Sequence, residues 1–336
     1  MDPLRQIALT RQLIDIDSTT GREQEAGRFL ATTLRDLGYR VTEQPVAGDR
    51  FNVFASVGQP AVVFSTHFDC VPPFFPSRSE LDTLYGRGSC DAKGMILAMI
   101  AASERLRASG EHRVGLLFVV GEERGSEGAR AANALAPGSA FLIDGEPTDN
   151  RLGSATRGVY RVKLTASGRA AHSSLPELGE SAIEKLLDAL IALRLIEWPF
   201  DATMGKTHYT VGLIAGGVAP NVIPAAADAE VMFRTVGDAA DIRRLLDAHL
   251  GSLVRIDDVL VVPPVRLKTV EGFESASFAF TTDIPWLDRW GTPLLLGPGS
   301  ITVAHTDDEH VAIAELHRAA ELYAALARTL MSHSGV

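Results

Sequence analysis

Apolar positions along the chain fall into two kinds of run. Short continuous stretches, Ala61-Val-Val-Phe-Ser-Thr66, Arg113-Val-Gly-Leu-Leu-Phe-Val-Val120 and Ala140-Phe-Leu-Ile-Asp144, are bounded by Gly, Pro or charged residues and read as buried strands. Helical segments are expected from Pro3 to Ile16, from a reciprocal capping pattern at Thr20-Gly-Arg-Glu23 to Gly38, from Ala92 to Ala108, and from Glu309 to Met331. Tyr39 to Val46 and Phe51 to Val57 add two β-rich runs, and an alanine-rich helix precedes Ala140. This alternation predicts an α/β fold, a mostly parallel sheet with helices on both faces, whose ligands bind beyond the carboxyl ends of the strands.

From Gly158 the pattern changes. Val159–Ser167 reads as a strand, Ser181–Leu195 as a helix, His208–Ala215 and Ala225–Phe233 as strands, Asp238–Leu250 as a helix and Leu253–Val262 as a strand. That βαββαβ order is a self-contained two-layer unit. It predicts an inserted domain over 158–263, with 1–157 and 264–336 forming the larger one and Pro263-Pro264 as the return linker. For 336 residues such a division is the natural prior.

Composition removes some classes of function. The net charge is −10 and no basic block offsets it, which argues against nucleic acid as a partner. No apolar run reaches bilayer length and the N-terminus lacks a secretory pattern, so no membrane partner and a cytoplasmic location are expected. The two cysteines, Cys70 and Cys90, fit a reducing compartment and the role of small buried hydrophobes.

Candidate chemistry sits where the apolar runs end. His67 and Asp69 are two apart, so they share a strand face; they are a ligand with its orienter, or a strand end meeting solvent. Asp91 precedes a helix, where an acid is commonly just a cap. Glu122 and Glu123 follow an apolar strand directly, and two adjacent carboxylates there are either both solvated or neutralised by a cation. Asp144 and Glu146 repeat the design, and His305 lies in the loop before the last helix. Imidazole and carboxylate donors without thiolate suit zinc, with cobalt or manganese as substitutes. Charge counting points to a pair of divalent cations balanced by Asp91, Glu123, Glu146 and a bridging hydroxide. Asp91 would then bridge, and Glu122 would be left free as general base for amide hydrolysis.

Eight motifs in order carry a resemblance over nearly the whole chain: Ser65-Thr-His67-Phe-Asp69, Tyr85-Gly-Arg-Gly-Ser-Cys-Asp91-Ala-Lys-Gly94, Gly121-Glu122-Glu123, Gly145-Glu146-Pro-Thr148, Gly168-Arg-Ala-Ala-His172-Ser, Gly216-Gly-Val-Ala-Pro-Asn221-Val-Ile-Pro, Arg234, and Ala304-His305-Thr-Asp-Asp-Glu309. The sequence resembles the co-catalytic di-zinc metallopeptidase family of aminoacylase, acetylornithine deacetylase, succinyl-diaminopimelate desuccinylase and carboxypeptidase G. The resemblance implies a zinc-peptidase-like catalytic domain with a ferredoxin-like lid that also carries a homodimer contact. It implies two zinc ions per subunit, one held by His67 and Glu146, the other by Glu123 and His305, with Asp91 between them. Glu122 would be the base, Asp69 the orienter of His67, and His172 the group that polarises the scissile carbonyl, across the dimer in dimeric relatives.

Arg234, at a strand end, suits a substrate carboxylate in the two-pronged manner of guanidinium, and Asn221 either adds a polar contact or stabilises its turn. Phe68, Cys70 and the loop Pro72-Pro-Phe74-Phe75 depart from many relatives, and Phe74 and Phe75 are expected to favour an apolar acyl group or side chain. The reading is a cytoplasmic hydrolase that deacylates an N-acyl amino acid, in the manner of the deacetylase and desuccinylase branch. The alternative is an exopeptidase, a dipeptidase or carboxypeptidase acting on short peptides. A non-catalytic binding protein on the same fold would lack a ligand or the base, and here each is present.

Overall fold

A computed structural model describes residues 1–333 of the protein. In chain order its main elements are α1 (Pro3–Ile14), α2 (Gln24–Asp36), β1 (Arg40–Ala47), β2 (Arg50–Ser56), β3 (Val62–His67), α3 (Lys93–Ala108), β4 (Val114–Val119), α4 (Glu127–Ala132) and β5 (Phe141–Asp144). These are followed by β6 (Gly158–Ser167), α5 (Ala182–Leu195), β7 (His208–Gly216), β8 (Ala226–Thr235), α6 (Ala239–Leu250), β9 (Arg255–Val262), β10 (Thr292–Leu295) and α7 (Ile313–His333). They form two compact units. The first comprises 1–154, 267–276 and the chain from 282 onward, and the second comprises 155–266 with 277–281.

In the first unit a six-stranded sheet has the order β1-β2-β4-β3-β5-β10. β4, β3, β5 and β10 pair parallel, and the β1–β2 hairpin joins antiparallel through β2. Because β3 and β4 are buried throughout, alternate residues feed two different cores. Val62, Phe64, Leu116 and Phe118 face α2, α3 and α7, and Val63, Leu117, Val119 and Leu142 pack with Ala129, Leu287 and Trp290. The carboxyl ends of β3, β4 and β5 therefore open in one direction, each followed by acidic residues.

In the second unit β7-β8-β6-β9 form an antiparallel sheet with the βαββαβ order, and α5 and α6 cover one face over Tyr160, Val162, Leu164, Val231 and Phe233. Its boundaries lie outside the expected 158–263. Residues 155–157 and 277–281 join it because the main chains of Arg157 and Phe278 bond and Ser277 Oγ donates to the Thr203 carbonyl.

Some local expectations fail for identifiable reasons. Thr20 and Glu23 do not form a capping box at α2. The Thr20 hydroxyl donates to Asp69 Oδ2 at 2.8 Å, and Glu23 accepts from the Gly21 amide and from Arg50. Asp91 is not the cap of α3 either, since Ala92 occupies that position with no side-chain bond. The last helix starts at Ile313 rather than Glu309. His310–Ala312 instead pairs with Thr83–Tyr85, which pairs with Arg78–Glu80. Among the described residues no helix is long and apolar enough to cross a membrane.

Candidate metal centre

Each candidate ligand is placed by the end of a strand or by a loop that buried groups hold. His67 is the last residue of β3 and is buried. Its Nδ1 lies 3.0 Å from the main-chain oxygen of Asp69, which can only accept, so Nδ1 carries the ring proton. Nε2 then turns its lone pair toward Asp91 Oδ1, 3.0 Å away. His305, in a turn at φ +63°, sets its Nε2 2.9 Å from Glu123 Oε1 and 3.3 Å from Asp91 Oδ2. Asp91 thus stands between the two imidazoles. His67, Asp91 and Glu123 each offer a donor atom within 4.8 Å of the others. Acceptors facing one another at such distances need a proton or a cation between them, and this donor set is one that zinc-like cations take.

Glu122 and Glu123 lie on a single 3-10 turn after β4, opened by Gly121 in the left-handed conformation at φ +74°. Asp69 fixes that turn: its Oδ1 accepts the Glu122 amide at 3.0 Å and its Oδ2 the Glu123 amide at 3.2 Å. Asp69 therefore orients His67 chiefly through its main-chain carbonyl, with Oδ1 at 3.5 Å, and uses its carboxylate to aim the glutamate pair. Glu146, buried just beyond β5, is outside the tightest trio but senses Asp91 and Glu122 as like charges.

Electrostatics show how far the cluster is from balance without a metal. Burial, then Asp91, raises the Glu146 carboxyl well above its usual range; burial, then Asp283 and Glu123, raises Glu122 similarly, with His67 opposing. Burial also raises Glu123. Asp91 moves down, because the bonds from His305 and His67 outweigh its burial. Contacts with Asp91 and Glu123 raise His305 to about 10. Burial works against a charged His67, yet Asp69 and Asp91 hold its imidazole well above the ordinary value. The metal-free cluster thus stores protons on its imidazoles and on part of its acids.

Two residues given no role by the sequence bear on this centre, Glu309 as a support and Asp283 as a further buried acid. Glu309 is fully buried; its Oε1 accepts the amides of Gly88, Cys90 and Asp91 at 3.0, 3.1 and 3.0 Å, and its Oε2 accepts from Arg87 Nη1 at 2.6 Å. It clamps the loop that carries Asp91. Asp283 is buried with both carboxylate oxygens unpartnered, and burial pushes it up to about 6. Glu309 stood inside a quoted motif, while Asp283 had no signal beyond being an acid in Thr-Thr-Asp-Ile. Asp144, the alternative to Glu146, is buried at the end of β5 with Oδ2 unpartnered. Phe75 packs its ring on the buried Arg87 guanidinium at 4.8 Å. Cys70 and Cys90 are both free and buried.

The remaining candidates belong to the second unit. His172 is exposed; its Nδ1 accepts the Ser174 amide at 3.2 Å, so Nε2 carries the proton and is available to donate. Asn221 lies in the neighbouring loop, where its main-chain oxygen accepts the Ser173 amide at 3.1 Å. Arg234 lies within β8, opposite His208 on β7.

The model of Peptidase family M20/M25/M40 matches residues 63–329. A probable carboxypeptidase of Aspergillus clavatus is 36% identical, covering 98% of this chain and 83% of the relative. Among solved structures, a tripeptidase of Staphylococcus aureus is similar with a TM-score of 0.82 at 19% identity, covering 98% of this chain and 99% of that one. The YXEP protein of Bacillus subtilis, described as a dinuclear metal binding peptidase, is similar with a TM-score of 0.74 at 15% identity over 98% of both chains.

Metal uptake should release protons, since a ligating imidazole is neutral whereas His305 stays protonated up to about 10 in the metal-free chain. Apparent affinity is expected to rise between pH 6 and 8, and zinc titration by calorimetry in buffers of different ionisation enthalpy checks it. In the metal-free chain the His305 ion pairs stabilise fully below the unfolded value of 6.5, and this is lost as pH rises through about 10. Glu309→Gln, which keeps an acceptor for the amides but sets an amide group against Arg87, is expected to weaken zinc binding about tenfold with unchanged circular dichroism.

Proposed function

The chain belongs to peptidase family M20/M25/M40, and from that membership we propose that it is a metal-dependent exopeptidase removing the C-terminal residue of short peptides. Hydrolysis of a carbon–nitrogen bond follows from the family. The exopeptidase reading replaces the N-acyl amino acid deacylase expected from the sequence, because the relative 36% identical over 98% of the chain is named a probable carboxypeptidase. The observation that carries metal-dependent hydrolysis is the convergence of His67, Asp91, Glu123 and His305 on one another.

In this reading His67 and Glu146 hold one divalent cation and Glu123 and His305 a second, with Asp91 between them; zinc fits the donors, and cobalt or manganese are substitutes. Bound there, the cations supply Lewis acidity toward a carbonyl oxygen and make a nearby water easier to deprotonate. Glu122 takes the water proton on its carboxylate and passes it to the leaving nitrogen. Asp69 keeps Glu122 aimed through the Glu122 amide. His172 donates from Nε2 to the oxygen that gains charge, Arg234 receives the substrate carboxylate, and Asn221 adds a polar contact.

The second unit is read as a lid that also forms a homodimer. The edge strand β7 and helix α5 leave Leu213, Ile214, Ile191 and Leu195 well exposed, and an exposed strand edge is a pairing surface. Sedimentation as a monomer at micromolar concentration would remove that part.

Metal-loaded enzyme is expected to release the C-terminal amino acid from N-blocked dipeptides faster than acetate from N-acetyl amino acids, as read by amino acid analysis. The reverse order would restore the deacylase. Glu122→Gln is expected to keep its metal and lose turnover by about three orders of magnitude or more.

A further inference from the structure

Three element starts meet at one guanidinium. Arg50 opens β2, Glu23 immediately precedes α2, and Glu127 opens α4. Arg50 donates to Glu23 from Nε at 2.9 Å and from Nη2 at 2.8 Å, and to Glu127 Oε2 from Nη1 at 2.7 Å. Its side chain is 12% exposed and that of Glu23 is fully buried, so the two-pronged pair is held out of water, while Glu127 lies at the surface. The guanidinium passes directly against Gly121, where a Cβ would stand 2.7 Å from Arg50 Nη2. Gly121 opens the turn that carries Glu122 and Glu123, and its carbonyl accepts the Ser126 amide at 2.8 Å just before Glu127. Asn52, two residues along β2 and hence on the face that Arg50 uses, accepts the Val120 amide at 3.1 Å and donates to the Gly128 carbonyl at 2.8 Å. β2 therefore grips the 121–127 turn at its neck through Asn52 and along its length through Arg50.

The same arginine reaches the segment that holds Asp69. Glu23 Oε2 also accepts the Gly21 amide at 2.7 Å, and the neighbouring Thr20 sends its hydroxyl to Asp69 Oδ2 at 2.8 Å. Asp69 in turn accepts the Glu122 and Glu123 amides. The contacts therefore close on themselves. They run from Arg50 through Glu23, Gly21, Thr20 and Asp69 to the Glu122-Glu123 turn, and return through Gly121 and Glu127 to Arg50. Two bonds to one carboxylate leave the turn able to pivot about the Asp69 side chain. Thr20 removes that freedom at the Asp69 end, and Arg50 removes it at the turn.

We propose that Arg50 is a positioning residue for Glu122 and Glu123, closing a ring of contacts that holds the general base and the neighbouring metal ligand in place. This rests on the reading of Glu122 as base and Glu123 as ligand, and goes beyond it, since that reading leaves their aim to Asp69 alone. Arg50 touches neither substrate nor cation; it acts through the main chain of the turn. Bridging rather than charge is what the ring requires. A lysine at this position keeps a positive charge beside the buried Glu23, but it lacks the planar fork that bonds Glu23 twice and Glu127 once. Small displacements of a base or ligand are costly, because the reacting groups must meet within a narrow range of geometry.

The test takes the full chain through three readouts: hydrogen exchange at the Glu122 and Glu123 amides without metal, zinc affinity by calorimetry, and kcat and KM for benzyloxycarbonyl-alanyl-leucine with zinc bound. Arg50→Lys is expected to speed exchange at both amides, weaken zinc binding about tenfold and lower kcat about tenfold, with KM changed by less than about twofold. Thr20→Val opens the ring at its other side and is expected to do the same. The two changes together should do no more than the worse one alone, because a ring already open is not opened twice. Arg107→Gln is the control. It removes bonds to the Leu37 carbonyl and to Glu104, each at 2.8 Å, and should lower the thermal unfolding midpoint while leaving all three readouts unchanged. Should Arg50→Lys fail to fold, Arg50→Gln combined with Glu23→Gln leaves no lone buried charge and takes its place. Unchanged exchange at the two amides, additive losses in the Thr20 and Arg50 pair, or equal losses in Arg107→Gln would overturn the ring. Faster exchange in Arg50→Lys beside full turnover in Glu122→Gln would keep the ring and remove the reading of Glu122 as base; lost turnover in Glu122→Gln with exchange unmoved in Arg50→Lys would do the opposite.

Discussion

Mutual repulsion among buried carboxylates is the constraint around which the first unit is arranged. Asp91 and Glu123 meet two imidazoles, and Glu122, Glu146, Asp69, Asp144 and Asp283 stand close enough for several of them to shift one another's protonation. Solvent cannot relieve this for residues as buried as Asp69, Asp144 and Glu146. Protons or cations must, and His67 and His305 each set an Nε2 beside Asp91 or Glu123, where either one can sit.

Holding such a cluster open requires supports that are themselves satisfied. Three separate parts of the chain supply them. The N-terminal segment does so through Thr20 on Asp69, the turn after β4 through the amides of Glu122 and Glu123, and the segment before α7 through Glu309 on the loop of Asp91. Arg87, buried against Glu309, and Lys93, whose Nζ donates to the Ile16 carbonyl at 2.7 Å, supply positive charge behind that loop. The candidate ligands therefore sit on a hydrogen-bonded frame, as a preorganised centre needs.

Much of this was legible because the strands that matter are continuous apolar runs ending at or just before candidate site residues: Val62–His67, Val114–Val119 and Phe141–Asp144 appear within a residue or two of where their patterns place them. Side-chain partnerships were less legible. Thr20 and Glu23 match a capping box in sequence, but Asp69 lies 49 residues from Thr20 and Arg50 lies 27 from Glu23, so local pattern could not show that they compete. Glu309 binds an amide 218 residues away, a distance no motif spans. The strands Arg78–Glu80, Thr83–Tyr85 and His310–Ala312 are three residues each, too short for a period to register.

The central claim is that these side chains cage a pair of cations with Asp91 between them. Anomalous diffraction at the zinc edge, from crystals of the chain grown with zinc, addresses it directly. The account predicts two strong peaks flanking the Asp91 carboxylate, one beside His67 and one beside His305. Peaks absent from both positions, or a single ion that leaves Asp91 uncoordinated, would contradict it.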